Sequence, residues 1–85
     1  MGKTFVVFKV TVDDMDNLDK VEKSLRGLKN GMVKDVKREP IGYGIEILKV
    51  GILFEEKQEK MEESQQEIRA IPLVEDVEVE TMTLL

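Results

Sequence analysis

Residues 32–54 read MVKDVKREPIGYGIEILKVGILF, two strand-like runs joined by a corner of proline and glycine. The first run, residues 32–39, is filled with charge, and on a regular strand its Val33 and Val36 point to opposite faces. It reads as an edge strand, where charge discourages stray pairing. The second run, residues 45–54, is strongly apolar. Ile45 and Ile47 share one phase, while Leu48, Val50, Ile52 and Phe54 share the other. The change of phase between Ile47 and Leu48 predicts a bulge or twist there, or a strand partly buried on both faces.

What flanks this pair of strands decides the fold. Upstream, residues 3–12, KTFVVFKVTV, set Val6, Phe8, Val10 and Val12 on one face and Phe5, Val7, Lys9 and Thr11 on the other, the pattern of a strand. The following DDMDN supplies turn chemistry, with Asp16 or Asn17 as N-cap candidates. Leu18, Val21, Leu25 and Leu28 then recur at helical spacing, and GLKNG ends that helix with two glycines. Downstream, EEKQEKMEESQQEIRAIP (residues 55–72) is a polar helix with Met61, Ile68 and Ile71 as its apolar stripe, until Pro72 forbids continuation. Its many glutamates read as a solvated face. EDVEVETM, residues 75–82, alternates with period two and is a strand. The order β-α-β-β-α-β predicts an α+β, ferredoxin-like sandwich: a four-stranded antiparallel sheet with two helices on one face and the other face open.

With 85 residues the chain is expected to form a single domain over residues 1–85 around one modest core. Thirteen Lys and Arg against eighteen Asp and Glu leave a net charge of −5, which argues against a broad phosphate-binding face for nucleic acid. Cysteine and histidine are both absent, so disulfides, thiolate metal sites and the commonest general base are excluded. The opening MGKTFVVFKV lacks a signal-peptide pattern and nothing approaches a membrane span, so a cytoplasmic location is expected. Gly2 matches the start of a myristoylation signal, but Val6 stands where serine or threonine is required. No nucleophile–base pair and no metal-ligand spacing is present. The chain is therefore expected to be a binding module without a cofactor, and not an enzyme.

Several binding or catalytic modules share this element order. The third-strand signature of an RNA-recognition domain has a glycine-aromatic-glycine centre, which IGYGIEIL (residues 41–48) matches. The rest departs: Ile41 replaces a base, Ile45 and Leu48 replace aromatics, and Glu46 puts an acid at an apolar position. One tyrosine in an acidic protein is a poor platform for base stacking. An acylphosphatase-like hydrolase needs amides and an arginine around phosphate after the first strand, where this chain has three aspartates. Those aspartates lack EF-hand spacing and read as a helix entry. A small-molecule regulatory domain fits the plan, though nothing selects it. Tyr43, the sole tyrosine, sits between Gly42 and Gly44 just after Pro40 and Ile41. Either the glycines serve a hairpin with the ring flat on the sheet, or with Pro40 they hold the ring out at a rigid corner.

The block REPIGYGIEILKV, with VVFKVTV near the start and VEDVEVETM near the end, resembles the guanine nucleotide exchange domains of archaeal elongation factor 1-beta and its eukaryotic counterparts. The resemblance runs through essentially the whole chain in order, with nothing matching the N-terminal interaction regions of the eukaryotic forms. It implies exchange on elongation factor 1-alpha, the GTPase that delivers aminoacyl-tRNA, with no direct nucleic acid or membrane partner. It implies partner contacts at Pro40, Ile41, Gly42, Tyr43 and Gly44, with Tyr43 the docking aromatic, and at Met82, Leu84 and Leu85. One position departs: Leu84 stands where eukaryotic members carry a lysine that approaches the Mg²⁺ and phosphate site. Leucine cannot supply that charge.

Overall fold

The computed structural model describes residues 2–55 and 58–85, with side chains 58–60 excepted. The elements are β1 (Thr4–Val12), a short 3₁₀ turn (Met15–Asn17), α1 (Leu18–Arg26), β2 (Met32–Gly42), β3 (Ile45–Phe54), α2 (Gln58–Arg69) and β4 (Val74–Leu84). The sheet order is β2-β3-β1-β4, with every neighbouring pair antiparallel, which is the ferredoxin-like α+β arrangement. The charged strand β2 is an edge, as its composition predicts.

The core follows from strand alternation. Val6, Phe8, Val10 and Val12 of β1 and Leu48, Val50, Ile52 and Phe54 of β3 face the helices. They meet Leu18, Val21 and Leu25 from α1, Ile68 from α2, Val36 from β2 and Val77 from β4. Fully burying one such side chain stabilises by about 1.5–3 kcal/mol.

Strand phase is decided in β3 and corrected in β2. No bulge occurs in β3, whose ladder with β1 runs unbroken from Phe54 to Leu48. The other expected alternative holds, a strand buried on both faces: Ile47 is 2% exposed yet lies outside the core cluster, on the face away from the helices. The bulges are in β2 and β4. In β2 the register shifts between Val33 and Asp35, so Lys34 is an extra residue. Val33 then pairs with Ile52 and Val36 with Val50, and both valines turn to the core side. One inserted residue reverses side-chain phase, which simple alternation cannot foresee.

Element ends also differ. Asn17 takes the N-cap position of α1 but makes no side-chain cap bond; the capping side chain is Asp14, ahead of the 3₁₀ turn, whose Oδ1 accepts from the Asp16 N–H at 2.9 Å. The 3₁₀ turn moves the cap upstream of the helix proper. Leu28 and Ile71 lie beyond their helices but still pack on the core. α2 stops at Arg69, before Pro72, and part of its expected beginning falls outside the described residues. β2 continues past residue 39 to Gly42, and β4 exceeds the expected 75–82 at both ends. Between the helices, the Glu67 carboxylate accepts from the N–H groups of Lys29 (3.1 Å) and Asn30 (3.2 Å) and from Asn30 Nδ2 (3.0 Å). This ties α2 to the α1–β2 loop and satisfies amides that would otherwise be orphaned.

Candidate functional site

Residues 40–44 form the tip of the β2–β3 hairpin. Pro40 pairs with Glu46 and Gly42 with Ile45, with Ile41 bulged between them, so only Tyr43 and Gly44 make the turn. Their φ values are 57° and 74°, and Gly42 is at 113°. Positive φ at both central residues is the type I′ pattern, whose twist suits a two-residue hairpin and whose usual first residue is asparagine, aspartate or glycine. Tyrosine in the left-handed region is strained. No heavy atom lies within 4 Å of a Cβ built on Gly42 or Gly44, so these glycines serve backbone conformation rather than close packing. Both readings of the motif are partly right. The glycines do serve a hairpin, but the ring does not lie flat: Tyr43 is 102% exposed. Ile41 and Ile45 beside it are exposed too. Ile45 escapes the motif reading, although its phase opposite to Leu48 is the available signal.

The hairpin root is held by an unusual bond. Beyond Val10 and Leu48 the β1–β3 pairing ends, and the Glu46 N–H donates to Met15 Sδ at 3.1 Å. Met15 comes from the 3₁₀ turn after β1, so the loop entering α1 braces the base of the tip.

The C-terminal group lies elsewhere. Leu84 pairs with Thr4, which pairs with Phe54, and the Leu85 N–H donates to Lys3 O at 2.8 Å. Nine strand steps separate Phe54 from Ile45, about 30 Å at the usual rise, so the two predicted groups sit at opposite ends of the sheet. The molecule measures 42 × 22 × 17 Å along its principal axes, consistent with two distant ends. Leu84 is 77% exposed and Leu85 is also exposed, while Met82, paired with Val6, is less so.

Between the ends, the open face carries an ion-pair bridge. Lys49 Nζ lies 2.7 Å from Glu39 and 3.0 Å from Glu80, reaching from β3 to β2 on one side and over β1 to β4 on the other. Glu80 is the extra residue of a β4 bulge, which aims it inward. Hydrogen bonds to Glu39, then Glu80, hold the Lys49 ammonium above its usual pKa. Phe5, Val7 and Gly51 line the same cavity of ≈ 450 Å³ together with these charges. Among the described residues no group of three or more histidines, cysteines or carboxylates is arranged to hold a metal ion. No helix of the described residues is long and apolar enough to cross a membrane.

Residues 5–85 match the family model described as the EF-1 guanine nucleotide exchange domain. The chain belongs to that family. The exchange domain is also 29% identical over 85 residues to elongation factor 1-beta of Methanoregula boonei, covering 99% of each chain. With elongation factor 1-beta of Methanocorpusculum labreanum it shares 27% identity over 86 residues, covering 100% of this chain and 99% of the other. Its function is guanine nucleotide exchange in translation elongation, and the family implies elongation factor 1-alpha as the protein it acts on. The RNA-binding and small-molecule alternatives are not favoured. Geometry agrees on the first: the glycine-tyrosine-glycine segment of the exchange domain forms a turn, not a strand position on the open face where bases would stack.

Proposed function

We propose that residues 1–85 act as one exchange domain that accelerates GDP release by docking on elongation factor 1-alpha with both ends of its sheet, Tyr43 anchoring the hairpin end. The observation that carries this reading is the fully exposed aromatic ring in a strained turn. Such a residue has little to contribute to the isolated fold and much to offer a pocket on a partner. The flanking Pro40, Ile41, Gly42 and Gly44 set its direction. At the far end the contacts are Met82, Leu84 and Leu85, all apolar. Leu84 brings no cation, so that end acts by packing against the GTPase rather than by placing a charge near its metal.

No covalent step is needed, and the chain is not an enzyme in the chemical sense. It binds a form of the GTPase that holds GDP poorly, and linkage requires GDP to weaken the exchange domain's binding by the same factor. The partner is protein rather than nucleic acid, and the cytoplasm is the compartment where it acts.

The test is release of fluorescent GDP from an archaeal elongation factor 1-alpha, with wild type and with Tyr43→Ala. Removing an interface anchor costs at least about 2 kcal/mol, roughly a 30-fold loss of affinity. The expected result is a large rise in the concentration needed for half-maximal release, with an unchanged unfolding temperature. Exchange equal to wild type would overturn the docking role of Tyr43.

A further inference from the structure

Residues 71–74 form a tight turn closed by the Val74 N–H donating to Ile71 O at 3.3 Å. Pro72 occupies its second position, which the fixed φ of proline suits, and Leu73 occupies the third with φ 79°. A type II turn reserves that third position for glycine or asparagine, because a side chain there clashes with its own backbone. Leu73 is not part of the core cluster and is 40% exposed. Among the described residues, Tyr43 and Leu73 are the two non-glycine residues with positive φ. Both are large, apolar and exposed, and each holds a turn position where glycine would be relaxed. Exposed residues kept in strained conformations concentrate at binding sites.

They also share an end of the molecule. Val74 pairs with Val12, and the Asp13 N–H donates to Leu73 O at 3.1 Å, so Leu73 lies beside Asp13 just past the end of β1. Val10, three residues before Asp13, pairs with Leu48, three residues after Ile45, so Leu73 and the hairpin turn both lie past the same end of the β1–β3 ladder. Only β1 separates β4 from β3 in the sheet. Leu73 thus lies at the same end of the sheet as the exposed Ile41, Tyr43 and Ile45, with the exposed Asp13 beside it.

We propose that Leu73 is a second apolar contact to elongation factor 1-alpha, at the same end of the sheet as the hairpin tip; this rests on the reading of Tyr43 as the anchor. The partner surface that fits is an apolar depression wide enough to take the tip and the α2–β4 turn together. Asp13 meets its polar rim. One rigid end then offers two preformed apolar points, which orients the exchange domain where one anchor would leave it free to swivel.

The experiment compares wild type, Tyr43→Ala, Leu73→Gly and Leu73→Asn in fluorescent-GDP release from elongation factor 1-alpha, with thermal unfolding of each. Glycine and asparagine both tolerate the turn conformation, so neither variant is expected to unfold earlier than wild type. Both should need at least about fivefold more protein for half-maximal release, the lower bound for an interface residue of consequence. If both Leu73 variants match wild type while Tyr43→Ala fails, Leu73 is not a contact and the hairpin reading stands. If both Leu73 variants fail while Tyr43→Ala matches wild type, the anchor has been misassigned and the Leu73 contact stands. A lowered unfolding temperature with unchanged exchange would make Leu73 a packing residue and overturn the proposal.

Discussion

A methyl group added to Gly31 would meet Ile52 Cγ2 and Phe54 Cε1, each at 2.6 Å, and Gly31 also holds φ 94°. Two penalties coincide, a side chain in a left-handed conformation and overpacking against core residues. Gly31→Ala should therefore lower stability by at least about 2 kcal/mol, read from urea unfolding midpoints at unchanged slope. Gly42 and Gly44 have the same kind of φ but open space around them, so only the conformational penalty operates there. Tyr43 between them accepts that penalty without compensation from the fold, since its ring is fully exposed. Replacing it with glycine is expected to leave the unfolding temperature unchanged or raised while exchange is lost. This separates the needs of the turn from those of the partner.

Among the elements, α2 contains a polar atom that works against it. Ser64 is fully buried on the sheet-facing side, and its Oγ has no hydrogen-bond partner among the described residues. An orphaned buried hydroxyl costs about 1–3 kcal/mol, and alanine fits the same space with a better helix propensity. Ser64→Ala should raise stability by about 1 kcal/mol in chemical denaturation. A loss instead would mean that the hydroxyl is satisfied in solution. β2 shows how an element can be right in kind and wrong in detail when read from pattern. Its charges mark an edge correctly, while the Lys34 bulge, which brings Val33 and Val36 to one side, comes from pairing with β3. A bulge is a property of two strands, so one strand's residues do not announce it.

Across the whole molecule, long-range ion pairs connect parts that the core alone would leave loosely joined. Arg38 of β2 reaches Glu22, at 3.0 Å, and Asp19 on α1, and Glu22 also pairs with Arg26 at 3.2 Å. The hydrogen bond from Arg38, then that from Arg26, hold the Glu22 carboxyl below the usual glutamate pKa of 4.5. A carboxylate with a lowered folded pKa contributes stability that is complete above the unfolded value. That contribution is lost as pH falls through the lowered folded value, because folding then has to exclude a proton the unfolded chain binds. The wild type should therefore lose stability on acidification below about pH 4.5 more steeply than Glu22→Gln. At neutral pH the substitution should cost under about 1 kcal/mol, because its partners are partly solvated. Equal acid slopes for the two proteins, measured by denaturation across pH, would show that the bridge does not persist in solution.

The order of elements, the core face of β1 and the helical stripe of Leu18, Val21 and Leu25 were written in local periodicity, and the edge character of β2 in its charge. Periodicity records which side of an element avoids water, and each element carries that record by itself. The glycines around Tyr43 likewise announced a turn. Tertiary structure decided the rest, because each remaining feature depends on a partner distant in sequence. The phase of Val33 and Val36 depends on Ile52 and Val50, the burial of β3 on both faces depends on its place inside the sheet, and the Glu67 bonds join α2 to a loop that precedes β2. The separation of Tyr43 from Leu84 belongs to the same class. Both motifs are visible in the chain, but only the antiparallel ladder from Leu84 through Thr4 to Phe54 sets them at opposite ends, because strand direction is fixed by pairing and not by composition.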